Sequence, residues 1–289
     1  MAKVIAVANQ KGGVGKTTTV LAMAACLTGR RKKVLLIDTD DSGNPSLSKN
    51  LGADENTPTL TDLMMDRIAL RAGMSKRPPA DVQEAVQLHS EGMHYIAADN
   101  KLPGITASAF GLLSAEEKPR ILKTLIEEVK SEYDCIILDA APALNLMSTN
   151  LFTCADEVLV VTQPQGASEE GIEELLTTVA AVKRHTNPNL AISGLLIAMV
   201  DGRTRYNKDK AEDIASRYAA LKIKIFTATI PRSVKAEECV ERKQSIIAYA
   251  PKSKVAGAYR DFTDEYFKPK EIGMTSRTET EEGEAQCLN

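Results

Sequence analysis

What this sequence lacks narrows it first. No stretch approaches the roughly 18 consecutive apolar residues that a membrane-spanning helix needs. The first strand-like run starts at residue 3, which leaves no room for a signal peptide, so a cytoplasmic protein is expected. The five cysteines (Cys26, Cys135, Cys154, Cys239 and Cys287) show no C-x-x-C spacing. Neither a zinc site nor a disulfide framework is therefore expected, and Cys26, Cys135 and Cys154 read as small apolar core residues. Charge of one sign is missing too: 36 Lys and Arg stand against 39 Asp and Glu, a formal net charge of -3. No global field announces a nucleic-acid partner, and any such contact must be a local patch. No helix-turn-helix pattern precedes the first strand, so sequence-specific operator binding is not expected.

What is present is a sizeable supply of core. Hydrophobic residues make up 43% of 289, enough for one large α/β domain or two small ones. One domain over 1–270 is the preferred reading, with 271–289 as an acidic, apolar-poor tail expected to be disordered. Largely apolar runs at 4–8, 34–38, 134–139, 157–164 and 190–200 read as buried strands, and alanine-rich or amphipathic stretches lie between several of them. Ser114 and Glu117 form a capping-box spacing, followed by an apolar face of Ile121, Leu122, Leu125, Ile126 and Val129. Strands alternating with helices specify an α/β fold with a mainly parallel, doubly wound sheet flanked by helices. Residues 45–113 are the least legible: a helical pattern at 59–66, a Pro-Pro pair at 78 and 79, a strand pattern at 93–98, and no chemistry.

The stretch 3–19, KVIAVANQKGGVGKTTT, organises the rest. A buried-strand run ends in Asn9, a glycine-rich turn follows, and Lys16-Thr17-Thr18 opens a helix. Glycine permits positive φ and close backbone approach. The amides of such a loop converge on an anion, and the helix N-terminus adds its dipole to the same point. Phosphate is the natural guest. The general pattern G-x-x-x-x-G-K-[ST] is met at Gly15, Lys16 and Thr17, while its leading glycine is replaced by Gln10. A second lysine, Lys11, heads the loop. Two further strand ends carry acids: Asp38 and Asp40 after the second strand, and Asp139 before a Pro turn, where open α/β sheets bind ligands.

The string K-G-G-V-G-K-T-T resembles the deviant Walker A motif of the ParA/MinD family of dimerising P-loop ATPases. The family's D-x-D-P-Q-G-N is met here by Asp38, Asp40, Gly43 and Asn44, with Asp41 and Ser42 in place of the Pro-Gln pair. Its D-x-P-P-S-L appears as Asp139-Ala140-Ala141-Pro142-Ala143-Leu144. Its I-P-R-N-V-R-x-x-E-A and later T-I-x-x-x-A-P and A-Y segments are met at Ile230, Pro231, Arg232, Val234, Lys235, Glu238, Ile246, Ala250, Pro251, Ala258 and Tyr259. The resemblance runs from residue 3 to about 268 and is closest to ParA/Soj partition ATPases.

That resemblance implies ATP/ADP with Mg2+ as ligands and weak intrinsic ATP hydrolysis. Gly12, Gly13, Val14, Gly15, Thr18 and Pro231 would join Lys11, Lys16 and Thr17 around the nucleotide. Lys16 would neutralise the β and γ phosphates, and Thr17 would offer its hydroxyl to magnesium, with Asp38 and Asp139 acting through water. Asp40 matches the acid that positions the attacking water. Lys11 would reach the partner's nucleotide across a two-fold interface, making an ATP-dependent homodimer, with Gly12 permitting that approach. Arg203 and Arg232 resemble arginines that contact double-stranded DNA nonspecifically, in a patch with Arg205, Lys208, Lys210 and Lys235. A ParB-like centromere-binding protein would stimulate hydrolysis, and the protein would be nucleoid-associated. The competing readings are a MinD-like membrane-cycling ATPase, for which the last 15 residues supply no amphipathic basic helix, an iron-sulfur reductase, whose cluster cysteines are misplaced here, and a nucleotide-sensing or regulatory protein with little turnover and no DNA cargo.

Overall fold

The computed structural model describes residues 2–165 and 168–268. The chain opens with strand β1 (Lys3–Ala8), helix α1 (Lys16–Thr28) and strand β2 (Val34–Thr39). Helices α2 (Ser46–Leu51) and α3 (Leu60–Arg71), strands β3 (Val86–Leu88) and β4 (His94–Ile96), and helix α4 (Gly104–Leu112) follow. Then come α5 (Ile121–Val129), β5 (Cys135–Ala140), α6 (Leu146–Cys154), β6 (Glu157–Thr162), α7 (Ser168–His185) and β7 (Ala191–Ile197). Helices α8 (Arg205–Ala220), α9 (Lys235–Glu241), α10 (Ile246–Tyr249) and α11 (Lys254–Phe267) close the described chain.

The strands form one sheet in the order β3-β4-β2-β5-β1-β6-β7. Every neighbouring pair is parallel except β3 with β4. The doubly wound, mainly parallel sheet expected from the apolar runs is what forms. Its interior strands carry helices on both faces, which is why they read as unbroken Val, Ile and Leu runs instead of alternating ones. Alternation does separate two cores: Val4, Ala6 and Ala8 of β1 pack toward α3, α5 and α6, while Ile5 and Val7 pack toward α1 and α11. The step from β1 to β2 leaves room for β5, and β6 returns on the other side of β1. This reversal of strand order opens a crevice at the carboxyl ends of β1, β2 and β5.

Local signals mostly held, with informative shifts. All five apolar residues assigned to one face of α5 are buried. The Ser114 and Glu117 side chains do bond reciprocally, yet α5 begins later, at Ile121, because Pro119 sits in a one-turn 3-10 segment, Lys118–Arg120, in between. Gly29 ends α1 with right-handed φ of -57°, and the left-handed turn falls at Arg31 instead. The strand patterns at 93–98 and 190–200 yield shorter strands, since β4 keeps only three residues and Met199, at φ 56°, turns the chain after β7. Cys26, Cys135 and Cys154 are buried thiols, as is Cys239. The tail expected at 271–289 lies outside the described residues. Among the described residues no helix is long and apolar enough to cross a membrane.

Candidate active site

The glycine-rich turn leaves β1 at Asn9, whose side chain fixes its entry. Asn9 Oδ1 accepts from the Lys11 amide at 2.9 Å, and its Nδ2 donates to the Val161 carbonyl of β6 at 2.7 Å. Gly13 and Gly15 hold φ of 69° and 95°, values that a side chain would strain, and Gly15 is the N-cap of α1. Lys16 is buried and donates from Nζ to the Lys11 carbonyl at 3.1 Å, closing the loop on itself. Lys11 Nζ lies 3.3 Å from Gln165 Oε1, beyond the end of β6.

The acids meet this loop through strand pairing. Asp38 on β2 is directly opposite Asp139 on β5, and Asp139 is in turn opposite Val7 on β1. Thr17 donates its hydroxyl proton to Asp139 Oδ2 at 2.7 Å, while Asp139 Oδ1 is buried without a hydrogen-bond partner among the described residues. Asp38 is differently engaged. Its Oδ1 accepts from the Asp40 amide at 3.0 Å, and its Oδ2 accepts from the Ser48 amide and hydroxyl at 2.7 and 2.6 Å. Asp38 therefore orders the loop that presents Asp40, and its charge acts on Asp139 beside it. Asp40 Oδ1 accepts from the Ser42 amide at 3.0 Å.

Burial of these charges sets their protonation. Desolvation, reinforced by the neighbouring Asp38 charge, pushes Asp139 up to about 8 against the opposing pull of Thr17 and Lys16. Desolvation pushes Asp38 up to about 6 despite its Ser48 and Asp40 bonds. Lys16 is lowered by the same desolvation, partly offset by Asp139 and Asp40. An acid kept protonated beside an open cradle is an acid that a cation can ionise. No cluster of three or more His, Cys, Asp or Glu among the described residues could hold a metal ion unaided. One hydroxyl backed by one orphaned carboxylate fits instead an ion that keeps its waters and takes its remaining oxygens from a phosphate, which is the habit of magnesium.

Two hollows flank the loop. A cavity of about 320 Å³ is lined by Gly12, Lys16, Thr17, Asp40, Ser42 and Pro142. A second, of about 430 Å³, runs from Gly13 and Thr18 past Gln163, Met199 and Asn207 to Pro231, Arg232, Val240 and Tyr259. Gly13, Gly15, Thr18 and Met199 line both, so the loop sits between them. Val14 is buried beneath it. Tyr259, pushed up to about 12 by burial, meets the Thr19 hydroxyl at 3.3 Å and ties α11 to the first turns of α1.

The site residues read from sequence thus fall into two groups. Lys11, Gly12, Gly13, Val14, Gly15, Lys16, Thr17, Thr18, Asp38, Asp40 and Asp139 converge at one strand edge, and Pro231 and Arg232 line the larger of the two cavities, where the Arg232 amide donates to the Val200 carbonyl. Arg203 lies beside that cavity: its side chain is 87% exposed and clasps Asp201, itself on the cavity wall, through Nε and Nη2, both at 3.0 Å. Arg205 and Lys210 face Asp209 and Asp213. Sequence reasoning missed the work of Asn9, Ser48, Gln163 and Gln165. Asn9 had a signal, a strand-end amide before the glycines, whereas the others depend on chain crossings.

A family model described as an AAA domain matches residues 2–192. The sporulation initiation inhibitor protein Soj of Bacillus subtilis strain 168 is 34% identical over 266 residues, covering 92% of this chain and 98% of its own. This chain belongs to the ParA/Soj family of partition ATPases. A chromosome partitioning protein ParA of Myxococcus xanthus strain DK1622 is 31% identical over 89% of this chain and 85% of its own. Among solved structures, cobyrinic acid a,c-diamide synthase of Mycobacterium smegmatis with bound ADP and magnesium superposes with a TM-score of 0.73 at 32% identity, covering 91% of this chain and 93% of that one. The ParA/Soj assignment agrees with the cradle, the paired acids and the strand order, and the doubly wound P-loop fold is shared throughout.

Proposed function

We propose that this ParA/Soj-family chain binds ATP with magnesium, dimerises on it, holds DNA nonspecifically and lets go when a ParB-like centromere-binding partner stimulates slow hydrolysis. It would work in the cytoplasm on the nucleoid, moving plasmid or chromosomal DNA. The observation that carries this reading is the Thr17 to Asp139 contact beside buried Lys16, set between two hollows, one lined by Asp40 and the other by Pro231.

In that reading the longer cavity takes the nucleoside, with Pro231 and Arg232 on its wall, and the loop amides take the phosphates. Bound magnesium would neutralise charge on the β and γ phosphate oxygens. Lys16 neutralises the same oxygens. The Thr17 hydroxyl would offer a lone pair to the ion while its proton goes to Asp139. Asp40, on the wall of the smaller hollow, orients the attacking water. Lys11, at the exposed rim, serves the partner's nucleotide. Arg203 and Arg232 give DNA affinity that falls with salt, because each neutralised phosphate releases counterions.

The decisive measurement is ATP turnover with and without DNA and a ParB-like protein, together with DNA binding across a salt series with and without ATP. Stimulated turnover that disappears in Asp40→Ala while ATP is still bound supports the switch. No turnover under any condition would leave the nucleotide-sensing alternative. A Lys11→Ala variant that still forms the ATP-dependent dimer in gel filtration would overturn the role given to Lys11.

A further inference from the structure

Asp41 stands where the resembled motif has proline, and the structure gives it a partner 104 residues away. Asn145 Nδ2 donates to Asp41 Oδ2 at 2.7 Å. Asn145 is also the N-cap of α6: its Oδ1 accepts from the Met147 and Ser148 amides at 2.9 and 3.2 Å, and its own amide donates to Ser148 Oγ at 2.7 Å. The acceptor end of the Asn145 amide is therefore committed to the helix, and its donor end to the carboxylate. The other Asp41 oxygen, Oδ1, is buried with no hydrogen-bond partner among the described residues. A half-satisfied buried acid costs stability, and sites that keep such a group commonly use it.

Its position says for what. Asp38, Asp40 and Asp41 occupy one loop, in which Asp38 takes the Asp40 amide and Asp40 takes the Ser42 amide. Those two contacts fix the loop along its own length. Asp41 fixes it sideways, to the chain that leaves β5 after Asp139 and turns at Pro142 into α6. Asp40 and Pro142 line the same phosphate-side hollow, whereas Asp41 lies outside that lining. The two loops thus face each other across the place where the reacting phosphate would sit, and one hydrogen bond spans them behind it.

We infer that Asp41 and Asn145 form a latch that holds Asp40 at its working distance from the phosphate cradle, making Asp41 a positioning residue for hydrolysis. The inference rests on the ATPase reading above for its effect on rate, but not for the latch itself. Misplacing a group by about 1 Å can cost as much as 100-fold in rate while leaving binding intact. A broken latch should therefore lower kcat and spare nucleotide affinity.

The pair can be broken and remade by exchange. Asn145→Asp keeps an acceptor for the α6 cap, since aspartate is as good an N-cap as asparagine, but removes the donor and sets two carboxylates face to face. Asp41→Ala removes the acceptor. The double variant Asp41→Asn with Asn145→Asp restores one donor and one acceptor in the opposite sense. Single-turnover hydrolysis of Mg-ATP and equilibrium ATP binding are measured on the full chain, with hydrogen exchange of the residue 42–44 amides in nucleotide-free protein. Each single variant is expected to lose roughly 10-fold or more in hydrolysis rate with ATP affinity within about twofold of the parent. Its residue 42–44 amides should exchange faster, and the double variant should recover both rate and protection. Singles that hydrolyse at the parent rate, or a folded double variant no better than Asn145→Asp, would overturn the latch. Should Asp41→Ala fail to fold, Asn145→Asp and the double variant decide alone. A parent chain without any turnover would count against the ATPase reading, and the latch would then stand or fall on the exchange data.

Discussion

The two ends of the nucleotide crevice are built in opposite ways. The loop proposed for the phosphates is one short stretch, residues 11–18, whose glycines, lysines and helix start are contiguous in sequence, and Asp40, Ser42 and Pro142 join its hollow from two other strand ends. Beyond the loop itself, the wall of the longer cavity is assembled from five separate places: Gln163 to Gln165 after β6, Met199 to Asn207 after β7, Ile230 to Ser233, α9 and α11. The first end is made of backbone amides and fixed charge, and the second of ordinary side chains from separate elements. A recognition surface made of backbone needs local conformation, and one made of side chains needs the whole sheet in place.

That contrast can be broken most sharply at Lys16. Lys16→Ala should weaken ATP and ADP about 100-fold, from the loss of charge-assisted bonds together worth about 3 kcal/mol, and leave adenosine binding unchanged. Calorimetric titration with the three ligands checks it, and equal losses for adenosine would mean that the two ends are not separable.

The acids offer a second, intermediate test. In nucleotide-free and magnesium-free protein, Asp139 at about 8 and Asp38 at about 6 keep their protons when folded over a range where the unfolded chain ionises both. Below about pH 4 these two acids are protonated in both states and add no pH dependence. From there to about 6 unfolding releases two protons, and from 6 to 8 one, so stability falls as pH rises and levels off above 8. Each proton contributes up to about 1.4 kcal/mol per pH unit. Asp139→Asn should flatten the stretch between pH 6 and 8 in thermal melts. A variant as steep as the parent there would place the proton on another group.

The smallest effect belongs to the wall. Val240→Ala, in α9 where it lines the longer cavity, should weaken ATP and adenosine alike by roughly threefold to tenfold, the worth of one or two buried methylenes. A loss confined to ATP would move Val240 away from the nucleoside.

Much of this was written in the chain. The apolar runs of β1, β2, β5 and β6 reveal buried parallel strands because both faces are covered, and Gly13, Gly15, Lys16 and Thr17 reveal the cradle because its geometry spans only a few residues. Residues 45–113 stayed opaque, since β3 and β4 have three residues each and α2 only six, too short for a period to show. The basic patch was legible as composition alone: no spacing announces that Arg203 folds back onto Asp201.

The sequence by itself determined the phosphate loop, the strand-end acids and the alternating order of elements, because dihedral preference and burial periodicity act over a few residues. What those acids touch came from the fold. Strand order set Asp38 against Asp139, Ser48 turned Asp38 inward, and α6 brought Asn145 to Asp41. Those pairings join positions from ten to just over a hundred residues apart, and the longest of them are fixed by which strands become neighbours.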